Sequence, residues 1–485
     1  MKTFFVYALS LALGLVLSIS AVAQTDFEKE KEKMRKEFER AKNQQKETFF
    51  KFRDEVDKKF VEALRQNWKA VNGSEPENPV QKPKPDTKPQ APEPDGNSTP
   101  IDVKVGQAKP KPPVVHDIIP PFVKPEEIAK SLTSAKFTYL SENFEFSADT
   151  ELKELKVAEV SENGAALFWA QASNCDYKTT LNQIIEKSKS LNFNDWGFRT
   201  LVHQTANSLL SGNEAVLLEW LLLCKSGFAV RVGTDSKKFY LLLPISNKVY
   251  GSSYFQINGK NYYLMSSQQL SIRVHDKDFP NASNSLSLDI TKPLAFDNLT
   301  LYRTLRTPSG LNVTVPYVAS VIEFYKDYPW SEFNVYFDSR PSLLTAKGLI
   351  DGLKPAIVGK TEKQAVDLLL NFVQVAFDYA TDEQQFGYEK PLFIEETIHY
   401  AYSDCEDRSF LFAFLVKELL GLEVVGLHYP GHLATAVNFS QDQPGDFLNY
   451  AGKKFIVCDP TYIGASAGMA MPQFAGVKAE VVVLK

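Results

Sequence analysis

Between Thr25 and Trp68 the apolar residues Phe27, Met34, Phe38, Ala41, Phe49, Phe52, Val56, Phe60, Leu64 and Trp68 punctuate a charged stretch that contains neither Gly nor Pro. Steps mostly of three, four or seven residues predict one amphipathic helix over 24–72. Its aromatic stripe is expected to pack on the protein itself, on a second copy or in the groove of a partner. The pattern then vanishes. Fourteen of the 27 prolines lie between Pro76 and Pro125, so 73–125 reads as a linker. The 25 residues from Pro76 to Pro100, if extended, could reach about 75 Å. Such a spacer should make few packing contacts, and a chain truncated at Val123 is expected to unfold like the full one.

Beyond Pro125 the periodicity is that of a globular protein. Lys136 to Phe144 and Leu152 to Val160 read as strands. Thr180 to Leu191, Phe198 to Leu210 and the strongly apolar Glu214 to Cys224 read as helices. Strands follow at 228–232, 239–244, 254–258 and 261–265, with Asn258-Gly259 as a hairpin turn. Alternation from Leu270 to Val335 predicts a small β domain over 270–335. Helices return at Leu343 to Leu353 and Thr361 to Phe377, and the remainder repeats the order of helix then strands. The class is α+β, with globular parts at 126–269, 270–335 and 336–485.

Composition narrows the partners. Lys and Arg total 54 against 59 Asp and Glu, a formal charge of -5, which leaves no overall basic field for nucleic acid. Four cysteines in 485 residues are too few for a disulfide framework and form no C-x-x-C pair. No metal or cofactor is expected. At the start, Lys2, the apolar run Phe4 to Val22 and Ala21-Val22-Ala23 have the form of a signal peptide over 1–23, cleaved near Ala23-Gln24. Export is expected, with no transmembrane anchor left after cleavage.

The chemistry concentrates near the end. In Tyr402-Ser403-Asp404-Cys405-Glu406-Asp407-Arg408, Ser403 or Asp404 can cap an apolar helix that runs to Leu420 and stops at Gly421. Cys405 then falls in the first turn, where the helix dipole favours a thiolate. His432 opens a strand, and Asp459 ends another. Twenty-seven residues separate Cys405 from His432 and again His432 from Asp459. A helix followed by two antiparallel strands can bring the three together, His432 taking the thiol proton and Asp459 orienting the ring. His399 and His428 compete for the base. Gln384, Gln385 and Tyr402 are candidates for the oxyanion-hole donor. Cys175, Cys224 and Cys458 are expected to be inert.

Ser403-Asp404-Cys405-Glu406-Asp407, Gly431-His432-Leu433-Ala434 and Cys458-Asp459-Pro460-Thr461 resemble the motifs of the transglutaminase-like superfamily, whose core is papain-like. The resemblance covers about Leu343 to Lys485. It implies a catalytic domain over 336–485 with Cys405 as nucleophile, His432 as base and Asp459 as orienter. The family often has Gly where Ser403 stands. An apolar helix and strands at 214–264 align loosely with 407–457, so 126–269 reads as a degenerate transglutaminase-like domain. In that alignment Ser211, Lys238 and Met265 or Ser266 fall where Cys405, His432 and Asp459 stand. The activity implied is hydrolysis of peptide or isopeptide bonds in a protein or peptide substrate. Transamidation and a non-catalytic surface or periplasmic scaffold are the alternatives, and 25–68 is the segment for self-association or partner binding.

Overall fold

The computed structural model describes residues 31–37, 40, 54–66, 68–78, 84, 88–92, 99–104 and 131–485. The expected signal peptide lies outside them. The chain divides into two units, Met1–Ala63 and Leu64–Lys485. In the first, the described residues 31–37, 40 and 54–63 are helical, as the stripe predicts. The helical path does not reach residue 72. It ends near Leu64, whose carbonyl accepts the Trp68 indole N–H at 2.7 Å, and Trp68–Asn72 is a strand, β1. Among the described residues no helix is long and apolar enough to cross a membrane.

The second unit is built from the same layout twice. The first round opens with the hairpin β3 (Leu132–Tyr139) and β4 (Glu142–Asp149). Helices follow at Glu162–Asn174, Tyr177–Ser190 and Asp195–Leu209, each begun by a side-chain cap on a backbone N–H, from Ser161, Asp176 and Asn194. Helix Gly212–Lys225 closes the set. Leu217, Leu218, Leu221, Leu222 and Leu223 are all buried, and a helix apolar on every side belongs at the centre of a domain.

Five strands come next: β5 (Arg231–Thr234), β6 (Phe239–Pro244), β7 (Tyr254–Ile257), β8 (Lys260–Tyr263) and β9 (Ser271–His275). With β1 they form an antiparallel sheet in the order β1-β9-β5-β6-β8-β7.

The second round opens with the hairpin β10 (Thr300–Arg306) and β11 (Asn312–Val318). It continues through helices that include Leu343–Ile357 and Glu362–Val375. The two-residue strands β12 (Asp378–Tyr379) and β13 (Tyr402–Ser403) pair in parallel. They lead into the buried helix Cys405–Leu420. Its sheet contains β14 (Glu423–Tyr429), β15 (His432–Asn438), β16 (Phe447–Tyr450), β17 (Lys453–Cys458) and β18 (Ala479–Val483), with β2 (Val103–Lys104) at the edge. The order is β16-β17-β15-β14-β18-β2. Read from β2, it is the order of the first sheet with each strand replaced by its counterpart, save that β2 runs parallel to β18.

Three expectations change. The stretch 270–335 is not a separate β domain: β9 completes the first sheet, and β10 and β11 open the second round. Leu286, Leu288 and Ile290 alternate only in that they sit buried in irregular chain, with a single bridge from Leu286 to Ile245. The strand read at 152–160 is a short helix, Thr150–Glu154, started by Asp149, followed by irregular chain. The described part of 73–125 is no free spacer. Ser74 bridges to Tyr254, Gln90 to Ile463 and Pro100 to Phe447 before β2 joins its sheet. Proline removes a donor but leaves its carbonyl, and Pro89 uses its own to accept from Ile463 N–H at 2.9 Å.

Candidate functional site

Asp404 is the N-cap of helix Cys405–Leu420, which ends at Gly421 with φ of 67°. Asp407, in the first turn, reaches back to accept from the Asp404 N–H at 3.2 Å and from the Leu392 N–H at 2.8 Å. Cys405 is thereby fixed as the first helical residue. Arg408 is fully buried one position further along this turn. It donates to Ser403 Oγ and to the carbonyls of Gln374, Phe377 and Asp378, tying the loop before β12 to the cysteine. Burial pulls its guanidinium down to about 10, against the pull of Asp404.

His432 and Asp459 meet. His432 Nε2 lies 2.8 Å from Asp459 Oδ2, with both side chains buried. The ring is held flat against Phe474, centroids 4.9 Å apart and planes 6° from parallel. Asp459 Oδ1 accepts from the N–H groups of Thr461 and Tyr462 at 2.9 and 3.2 Å, an Asx-type turn that aims Oδ2 at the ring. Buried Gln374 fastens the turn from behind by donating to the carbonyls of Asp459 and Ala465. Asp before Pro460 is therefore both turn former and histidine partner.

Cys405 lines one small cavity with His432, together with Lys84, Phe333, Glu406, His428, Gly431 and Leu433. At about 10 Å³ it has room for roughly one water. The thiol, however, donates to Glu406 Oε2 at 2.9 Å. Burial pushes the Cys405 thiol well above its ordinary value, and the Glu406 carboxylate adds to the rise while Lys84 opposes it. A lowered thiol at the helix start was expected from the dipole. Here desolvation and a neighbouring anion outweigh it.

The competing histidines separate. His399 lies 3.2 Å from the Tyr317 hydroxyl, in an edge-on ring contact. His428 borders the cavity but stacks edge-on against Phe333, and Asp459 pairs with His432 instead. All four cysteines are free and buried. Burial pushes Cys175 up to about 12 and raises Cys224 and Cys458 as well.

Of the residues considered as oxyanion donors, Gln384 accepts from the Thr381 N–H and Gln385 from the Tyr402 N–H, while Tyr402 is exposed. None of the three lines the cavity. Tyr379, on β12, was not singled out. Its hydroxyl is buried and has no hydrogen-bond partner among the described residues. Burial raises it far above the ordinary phenol value, and Cys405, Asp404 and Glu406 add to the rise. Like Gln384, Gln385 and Tyr402, Tyr379 is not among the residues that line the cavity.

A second feature is a cluster of acids. Ligand atoms of Asp404, Cys405 and Glu406 lie within 4.8 Å of one another, as do those of Asp382, Glu389 and Glu406 and those of Asp382, Asp404 and Asp407. Burial raises Asp382, Glu406 and Asp407, each further lifted by Asp404. Into this cluster the chain inserts Lys84, which bonds to Asp404, Glu389 and Glu406. Burial pulls its ammonium down, but Asp404 and Glu406 together hold it well above its ordinary value. In sequence Lys84 was one letter of a Lys-Pro repeat, with no signal to set it apart.

The first round offers no matching chemistry. Gly212 begins its central helix, Phe239 begins β6, and Leu264 follows β8. These stand at the places of Cys405, His432 and Asp459, one or two residues from the positions the loose alignment suggests. Comparison of the chain with family models, with characterised proteins and with solved structures gives no significant match.

Proposed function

We propose that the chain is an exported, thiol-dependent hydrolase of peptide or isopeptide bonds, with 336–485 as a transglutaminase-like catalytic domain and 126–269 as a degenerate copy. The observation that carries this reading is the buried His432–Asp459 contact at 2.8 Å beside a cavity that Cys405 also lines.

Asp459 holds the Nε2 proton and so leaves Nδ1 of His432 free of it. Nδ1 takes the Cys405 proton as the sulfur attacks the substrate carbonyl. The Cys405 backbone N–H and the Tyr379 hydroxyl are the donors for the oxyanion. The imidazolium returns the proton to the leaving amine, and the acyl group remains on sulfur. Water then gives a proton to His432 and its hydroxyl to the acyl carbon; the released thiolate takes that proton back. An amine in place of water makes the same site a transamidase.

The deciding experiment is turnover of a peptide and isopeptide library by the wild-type chain and by Cys405→Ala. Cleavage that requires Cys405 supports the hydrolase. Product formed only with an added amine points to transamidation. Binding without turnover in either protein would make the chain a scaffold, a reading favoured by the raised Cys405 thiol and by Gly212, Phe239 and Leu264 standing in the first round where Cys405, His432 and Asp459 stand in the second.

A further inference from the structure

Lys84 makes contacts that few lysines make. Its side chain is 6% exposed, with Nζ 2.6 Å from Asp404 Oδ2, 3.0 Å from Glu389 Oε1 and in close contact with Glu406 Oε1. Three donors meet three carboxylates, which uses every N–H of the ammonium. The pocket still has an acceptor to spare, because Asp404 Oδ1 is fully buried without a hydrogen-bond partner among the described residues. Glu406 links this pocket to the reaction centre: one of its oxygens holds the ammonium and the other accepts the Cys405 thiol proton. A buried charge persists only where its partners repay desolvation, so the pocket is built for a cation.

We propose that the pocket formed by Asp404, Glu406 and Glu389 is a subsite for a primary ammonium group, a lysine side chain or alkylamine of the molecule that reacts at Cys405, and that Lys84 fills it in cis. That this molecule reacts at Cys405 rests on Cys405 being the nucleophile; the ammonium binding and the occupation of the pocket by Lys84 do not. Three acceptors around one nitrogen suit a compact ammonium better than the planar fork of a guanidinium, and a quaternary ammonium has no N–H to offer. The chain after Lys84 keeps it near. Lys88 donates to the carbonyls of Gln374 and Phe377, and residues 89–91 exchange backbone bonds with Ile463. An external ammonium therefore competes with a tethered one whose effective concentration is on the order of millimolar or more. The folded chain is latent until Lys84 leaves.

The test uses the full chain with Lys84→Ala. Thermal unfolding is followed with ethylammonium, tetramethylammonium or sodium chloride at equal ionic strength. Alkylation of Cys405 by iodoacetamide is read by peptide mass. The expected result is a lowered Tm that ethylammonium alone restores saturably, and Cys405 alkylation on the order of tenfold faster than in wild type, slowed again by ethylammonium. Should Lys84→Ala fail to fold, Glu389→Gln at the rim loosens the same contact and should speed alkylation several-fold. Ethylammonium that acts no differently from sodium, or alkylation unchanged in the variant that folds, overturns the proposal. Rescue by ethylammonium in a protein that turns over no substrate keeps the subsite and removes the hydrolase. Cys405-dependent turnover with no ethylammonium effect does the reverse.

Discussion

His432 is gripped on one nitrogen by Asp459 and pressed flat against Phe474, so its orientation is set by two independent contacts. Cys405→Ala and His432→Ala should each abolish measurable turnover. Asp459→Asn keeps the imidazole but presents the wrong tautomer, and a loss of about 10²- to 10⁴-fold in kcat is expected. Tyr379→Phe removes a hydroxyl with no other hydrogen-bond partner among the described residues. It should lower kcat by about 10²-fold with little change in KM or stability; equal loss in both kinetic constants would deny the oxyanion role.

A separate residue reports on pH. Burial pushes Glu395 up to about 7, against the N–H and hydroxyl of Ser342. Between an ordinary 4.5 and about 7 the folded state thus holds a proton that the unfolded chain has lost. Stability should be full below that window and fall as pH rises through it, by up to about 3 kcal/mol. Denaturant titrations of Glu395→Gln should lack this slope. At this scale the meeting of His432 with Asp459 beside a cavity that Cys405 also lines was legible, because each residue stands in a local motif. The Cys405 contact of Glu406 and the buried Tyr379 hydroxyl, unpartnered among the described residues, were not, since burial and tertiary packing create them.

Elements with local stop and start signals were read nearly in place. Thr361 and Gln364 cap helix Glu362–Val375 reciprocally, and Asn258-Gly259 turns β7 into β8 with both residues at positive φ. The segment 152–160 shows the opposite case. Its apolar residues Leu152, Leu155, Val157 and Val160 suggest a strand, but Asp149 accepts from the Glu151 N–H at 3.1 Å and starts a helical turn instead.

The repeated layout was legible only as an order of helix then strands; that each sheet borrows an outer strand from before Val105 was invisible, because the pairing partners are 199 or more residues away. One glycine pair marks an element junction beside the site. Gly445 has φ of 114°, and a Cβ there would lie 2.3 Å from the Gly468 Cα. Asp446 N–H donates to the Gly468 carbonyl and Gly468 N–H to that of Val457, so this contact secures the chain that follows Asp459. Gly445→Ala combines a strained φ with a backbone clash. A cost of about 2–4 kcal/mol is expected in chemical unfolding.

At the scale of the whole molecule, the segment from Trp68 to Lys104 changes what the protein is. A proline-rich stretch of mixed charge reads as a tether, and on that reading a chain beginning at Val123 would unfold like the parent. The observed pairings argue otherwise. β1 aligns five residues with β9, from Trp68 opposite His275 to Asn72 opposite Ser271, and Val71 packs on the core cluster of that sheet. β2 and Asp102 pair with β18 at one edge of the other sheet, and Thr99 and Ile101 bond Phe447 in β16 at its opposite edge.

Between them, Lys84 neutralises carboxylates that would otherwise be buried without it, and Ala91 packs against Tyr462, Ala465 and Met471. At roughly 1 kcal/mol for each net backbone hydrogen bond lost, the strands alone account for about 5 kcal/mol, comparable to the whole stability of many domains. The chain from Val123 should therefore melt far below one that starts at Leu64 and keeps both strands, or fail to fold. Calorimetry of the two side by side checks this. Equal melting temperatures would return the segment to the role of a spacer, and would leave the pairing of β1 with β9 without energetic consequence.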